Sequence, residues 1–533
     1  MAEDKDGTGA FLSDEILPAL DDATTIEYLY LTFNTPIPTP AFRADLPPSD
    51  EAPVSPTPDL VSFTNPLDWP KSRKNVIVVL SCVATFLASY ATGAYSPAAP
   101  FIANELHTTT LATEVHGRYP VFAVAGVILT LFQAVCGVVT SLTGMLIARY
   151  FVGVGGSVFS TLVAGVISDV FRKEDRNTPM ALFSGFVLLG TGLGPLLNSF
   201  IVSRAPSQWK WVFWHNVIAD FALLVIILTT FNESRGSVIL SRKAAALNKC
   251  NDEKGPKSPL GKPGAKLKRV RWLVKEDEER ASIATMVRMS LSRPFFFLST
   301  EPIVFFFSLW VAFAWGVLYL TFGSIPLVFQ RQYNFDIEES GLVFLAIVAG
   351  AIIGTTIGIL QEFLLRHPQW RASASSRADS TAWDYIRQKF PATSLESRLY
   401  LTCFTAVLVP LGQYLFGFLA HPSTPWIQPA IAIGIATVGI YSVYLATFNY
   451  LTDVYQTYAS SALAAQSFCR NLLGGLFPLA SAALITNLGE NASGGLLGGI
   501  ATVLTFVPLV LVLFGENIRG KSKFAVSLQT TEG

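Results

Sequence analysis

With 533 residues, 51% of them hydrophobic, only 14% charged and a mean hydropathy of +0.45, the chain is too apolar for a soluble protein of its length. Its formal net charge of zero hides a strong segregation of acidic and basic segments. None of the five cysteines pairs with another at metal-ligand spacing, and they read as small apolar packing residues.

Residues 1–60 carry twelve acids against Lys5 and Arg43, among many Pro, Ser and Thr. That composition predicts a disordered, solvated cytosolic tail reaching to residue 70, with no signal peptide. Eleven long apolar runs follow, near Val76–Ala94, Pro120–Val139, Met145–Ile167, Met180–Val202, Val212–Phe231, Ile303–Phe329, Gly341–Leu360, Leu399–Leu419, Trp426–Leu451, Ala462–Leu484 and Gly494–Phe514. About 20 apolar residues span a bilayer as a helix, and lipid tolerates only closed hydrogen bonding. The predicted fold class is therefore all-α integral membrane, with about eleven spans: a first bundle over 71–232 and a second over 296–518. Between them, 233–295 is hydrophilic, and Glu233–Arg293 carries fifteen Lys/Arg against seven Asp/Glu. The preference of basic residues for the cytosolic side accounts for this linker without nucleic acid. Residues 519–533 form a cytosolic tail.

Placing every basic cluster in the cytosol works from the third run to the end. It fails between the first run and the second, where Lys71–Lys74 and Arg118 demand the same side with one helix between them. The stretch Ile102–Tyr119, with Asn104, Glu105, His107, Glu114 and His116, is too polar and short to cross. A second helix of the first half is the expected absentee. Internal repetition agrees: Ser168–Phe171 after the third run and Thr452–Tyr455 after the ninth share an Asp-Val pair, and a small-residue-rich helix follows each. Two parallel repeats suit a transporter of two six-helix bundles.

These residues resemble a family. Asn65–Lys74, Arg149–Gly156, Gly190–Pro195, Trp209–Phe213, Asn232–Gly236, the block Asn449–Arg470 and the closing Gly515–Lys523 are jointly similar to fungal major facilitator superfamily transporters of the twelve-helix drug:proton antiporter group. The resemblance covers about Asn65–Phe524. It implies a major facilitator fold of two six-helix bundles, here with the first short of one helix. Two departures stand out. Thr113–Val115 runs directly into His116–Pro120 where the family has a second helix, and Asn198-Ser199 replaces a Gly-Gly pair.

The resemblance puts Arg149 in the helix used for proton coupling, gives Gly190, Gly194 and Pro195 an antiporter role, and makes Gly117, Arg118, Asp169 and Asp453 gating residues. Because the usual partner region of Asp169 includes the absent segment, its lock is expected to be lost. Asp220 sits inside the fifth run, where a carboxyl group can carry the exchanged proton or simply bond a neighbouring helix. Arg470 is the second half's intramembrane cation and joins the proton-coupling set. Trp315, Tyr319 and Phe322 share one helix face. That face, with Asn449 and Tyr450, is read as substrate cavity against the plainer reading of lipid-facing bulk. No catalytic constellation, P-loop lysine or His/Cys/Asp metal set is legible, so neither an enzyme nor an ATP-driven pump is expected, and no cofactor or metal. The expected activity is export of small apolar or cationic compounds by exchange with protons. The transporter would be a monomer in a lipid bilayer, the plasma membrane rather than the vacuole. A truncated non-transporting isoform, a gene-model variant and proton-coupled nutrient uptake stay open as alternatives.

Overall fold

The computed structural model describes residues 25–35, 42–43, 60, 63–93, 118–172, 175–204, 208–253, 268–278, 283–365, 367, 390–391, 394–520, 522 and 524. They belong to two compact units.

The smaller unit joins Met1–Asn65 to Gly236–Arg280. Strand β1 (Thr25–Tyr30) and strand β2 (Phe42–Arg43) flank β3 (Lys268–Leu273) in the order β1-β3-β2. The β1–β3 pair is parallel, from Thr25 opposite Lys268 to Tyr30 opposite Leu273. Helix α6 (Gly236–Glu253) buries Leu240, Ala244 and Leu247, one face at helical spacing, with Leu31, Trp272 and Val274. Asn248 clamps the Trp272 backbone, accepting from its N–H at 2.8 Å and donating to its carbonyl at 2.9 Å. The acidic tail is thus not solvated throughout. Thr25–Phe33 holds a single acid, Glu27, and the β-branched and aromatic residues Ile26, Tyr28 and Tyr30, which favour a strand over coil.

The larger unit joins Pro66–Arg235 to Ala281–Gly533 and is helical throughout its described residues. Its first half holds α1 (Lys71–Gly93), α2 (Arg118–Val138), α3 (Leu142–Val170), α4 (Asn177–Arg204) and α5 (Trp211–Thr230). Its second half holds α7 (Ile283–Thr300), α8 (Pro302–Tyr333), α9 (Leu345–Leu365), α10 (Leu408–Leu419), α11 (Ile427–Tyr455), α12 (Ala459–Leu504) and α13 (Phe506–Arg519). Among the described residues, ten helical stretches are long and apolar enough to cross a membrane. The last of them, Ala459–Arg519, breaks at Gly489, whose φ of 76° and ψ of 170° are open to glycine alone. Its two arms bring the count to the eleven runs of the sequence.

Three contacts fix the sense of the first helices. Lys74 Nζ lies 5.6 Å over the Phe171 ring, Arg172 pairs with Asp68 at 3.1 Å, and Arg118 pairs with Asp169 at 2.9 Å. The beginnings of α1 and α2 and the end of α3 therefore share one end of the bundle, as the charge pattern requires. The far end of α1 is about 35 Å away at 1.5 Å per residue. The expected absence of a second helix falls on 94–117, outside the described residues.

The halves meet along α4. Asn177 Oδ1 accepts from Asn449 Nδ2 at 2.8 Å, Thr178 donates to Glu362 at 2.8 Å, and Tyr441 donates to the Ala181 carbonyl at 2.9 Å. Near its other end, Arg204 pairs with Glu338 at 3.2 Å. Where the family's Gly-Gly pair is replaced, the space moves to the partner: Ser199 Oγ sits against Gly341, and Asn198 donates to Tyr90 Oη at 3.2 Å.

Candidate functional site: a buried aromatic centre and paired charge locks

Spacing sets the centre. Trp315, Tyr319 and Phe322 recur at three and four residues along α8 and contact in sequence as tilted ring pairs, with centroids 6.0 and 5.1 Å apart. Trp315 stacks at 4.9 Å on Tyr444 of α11, which lies 4.7 Å from Phe448 on the same helix. Phe183 of α4 closes the group at 6.2 Å from Tyr444 and 5.8 Å from Phe448. These rings are turned inward to where the two halves meet, not outward as lipid-facing bulk. Within them sits Arg470 of α12, its guanidinium carbon 4.9 Å from the Trp315 centroid and 5.2 Å from that of Tyr444. Gly474, one turn on, leaves room for the indole: a Cβ there would stand 3.2 Å from Trp315 Cδ1.

The other expected cavity residues lie elsewhere. Asn449 joins the Asn177 contact near the start of α4. Tyr450 stacks on Phe307 at 5.1 Å and accepts from Arg519 Nη1 at 3.1 Å, which makes it part of the packing within the second half.

Nor does the proton-coupling set converge. The Arg149 guanidinium stands 4.8 Å over the Phe213 ring of α5. Asp220 is seven residues further along α5, about 10 Å at helical rise. It is 4% exposed, on the stripe Val212, Asn216, Asp220, Leu223 and Ile227 that α5 buries against its neighbours in the first half. On α2, Gln133 is fully buried, and neither its amide atoms nor Asp220 Oδ2 has a hydrogen-bond partner among the described residues. Arg470 belongs to the second half's aromatic centre instead.

The glycines of α4 work by close approach. A Cβ on Gly190 would stand 2.5 Å from the Phe86 carbonyl oxygen and 3.0 Å from Tyr90 N, so α4 and α1 touch backbone to backbone. Gly194 accepts from Asn198 Nδ2 at 2.7 Å, and Pro195 lies within α4.

Each half carries a charge lock at the same end. In the first, Arg118 Nε meets Asp169 Oδ2 at 2.9 Å, so the lock expected to be lost is formed. Gly165, one turn before Asp169, opens the groove for the guanidinium. The Glu233 carboxylate caps α2 from afar, accepting from the Arg118 N–H at 2.9 Å and the Tyr119 N–H at 3.2 Å. In the second half, Arg398 pairs with Asp453 at 3.2 Å and Arg519 with Glu396. Between the locks lies Arg176. Burial lowers its guanidinium below the ordinary arginine value, Asp453 and then Asp169 pull it back up, and Arg398 pushes it down. Glu301, 3% exposed, accepts from Tyr455 Oη at 2.9 Å and Ser522 Oγ at 2.6 Å, tying the C-terminal segment to the start of α8. Gly117 lies outside the described residues. Sequence reading missed Glu233, Glu301 and Glu396 as partners. Their one available signal was an acidic residue at a helix boundary.

The profile of the Major Facilitator Superfamily matches residues 110–478. The efflux pump atB of Aspergillus terreus is 30% identical over 477 residues, covering 89% of this chain and 91% of its own. The probable drug/proton antiporter YHK8 of Saccharomyces cerevisiae is 26% identical, covering 78% of this chain and 74% of its own. Among solved structures, the xylose transporter XylE from E. coli, in a partially occluded inward-open conformation, superposes with a TM-score of 0.52 at 13% identity, over 83% of this chain and 98% of that one.

Proposed function

The chain belongs to the major facilitator superfamily, and on that premise we propose that this multi-pass membrane transporter exports small, flat, largely apolar organic molecules in exchange for protons, as a monomer in the plasma membrane. The aromatic centre carries the reading. Trp315, Tyr444, Phe448 and Phe183 line a buried place to which both halves contribute. Ring faces suit a flat apolar solute, and an interior shared by two bundles is where alternating access exchanges sides. The locks at Arg118–Asp169 and Arg398–Asp453 are two-state elements that can hold one end shut while the other opens. The efflux pump and the drug/proton antiporter among the relatives support the direction and the coupling.

The expectation that cations are carried as readily is weaker. The ring faces that would attract a cation already surround the Arg470 guanidinium, whose charge opposes a second positive one. The test is efflux from reconstituted vesicles. Collapsing the pH gradient with a protonophore should stop it; efflux that continues and follows ATP instead sinks the reading.

A further inference from the structure

Several arginines of the larger unit are buried or half-buried. Three face a carboxylate: Arg118 faces Asp169, Arg398 faces Asp453 and Arg519 faces Glu396. Arg470 faces none among the described residues. It is 2% exposed, and its neighbours are the ring faces of Trp315, Tyr444 and Phe448, the last at 6.0 Å. Ring faces attract a cation from above, but the guanidinium N–H groups lie in its own plane and need acceptors there. Among the described residues, its Nε and Nη1 have no hydrogen-bond partner. Charged donors buried without an acceptor are costly, so such an arrangement is kept where an acceptor arrives from outside.

We propose that Arg470 recognises an anion, and that the carried molecule is a flat organic acid. Its ionised oxygen accepts charge-assisted hydrogen bonds from the Arg470 N–H groups, and its ring system stacks among Trp315, Tyr444, Phe448 and Phe183. This names the substrate class of the aromatic centre and rests on the export reading above. The acid is selected over its neutral analogue because only the acid satisfies the buried donors, and over an amine because the guanidinium repels it.

The test uses the full chain in lipid nanodiscs and three probes of one shape: naphthoate, naphthamide and naphthylmethylammonium. Naphthoate should bind tighter than naphthamide by on the order of tenfold or more, the worth of hydrogen bonds to a charged group. Arg470→Met should abolish that preference while naphthamide still binds, and Arg470→Lys should keep part of it. Equal affinities in the unaltered chain, or a preference that survives Arg470→Met, overturn the proposal. If Arg470→Met cannot be recovered folded, the unaltered chain still decides: naphthylmethylammonium binding as tightly as naphthoate overturns it. Proton-driven efflux of naphthamide without acid preference defeats this inference and leaves the export reading standing. Acid-selective binding without proton-driven flux does the reverse.

Discussion

Arg118 does two jobs with two parts of one residue. Its side chain answers Asp169 and its backbone N–H is held by Glu233. Removing either acid should therefore leave different damage. Asp169→Asn strands a largely buried guanidinium and should cost about 2 kcal/mol, below the figure for a fully buried pair because both groups keep some exposure. Glu233→Gln weakens a helix cap and should cost about 1 kcal/mol. Thermal melting in detergent reads both, and equal losses would contradict the division of labour. Asp169 and Arg118 were legible because they stand in recognisable motifs. Glu233 was not, because its partner is 115 residues away and nothing local announces it. Arg470 was legible as an intramembrane charge, but that no carboxylate faces it among the described residues emerges only when three other arginines are seen to have one.

Helices were the most legible level, since about 20 apolar residues in a row leave few alternatives. Their contacts were less so. Gly190 could be read as a motif, yet only the fold shows that the residue it must admit is Phe86. Gly190→Val should push α1 from α4 and cost roughly 1–3 kcal/mol or more by overpacking, seen as a lower yield of folded protein and a lower melting temperature. Gly489 separates cavity from backbone effects cleanly. Nothing lies within 4 Å of a Cβ added there, but its φ is 76°. Gly489→Ala should cost about 1–3 kcal/mol from backbone strain alone; a melting temperature unchanged by that substitution would remove the argument. The sequence around it reads as a loop between two spans, because Asn487, Glu490 and Asn491 are polar. The structure continues the helix to one glycine and resumes it directly. There Glu490 accepts from Gln332 at 2.7 Å, which lets a polar residue stay in place.

For the molecule as a whole, the beginnings of α1 and α2 share an end, which is what the charge segregation requires of them. A chain with both on one side and a polar stretch between them is expected to transport weakly. Inserting an apolar helix between Val115 and His116 should raise proton-driven efflux, and vigorous efflux without the insertion would show that expectation wrong. What composition hid was the smaller unit, because β1 is six residues inside sixty that read as solvated. Deleting 1–60 should bare Trp272 and Leu240 of its core and speed limited proteolysis of the linker, with digestion of 236–280 as the readout. That unit also imposes an order in time. The strand that begins near residue 25 has no partner until residues 268–273 have left the ribosome, roughly 10 to 50 seconds later at ordinary rates of synthesis. All five helices of the first half are made in that interval. The sheet can therefore close only after every helix of the first half has been made.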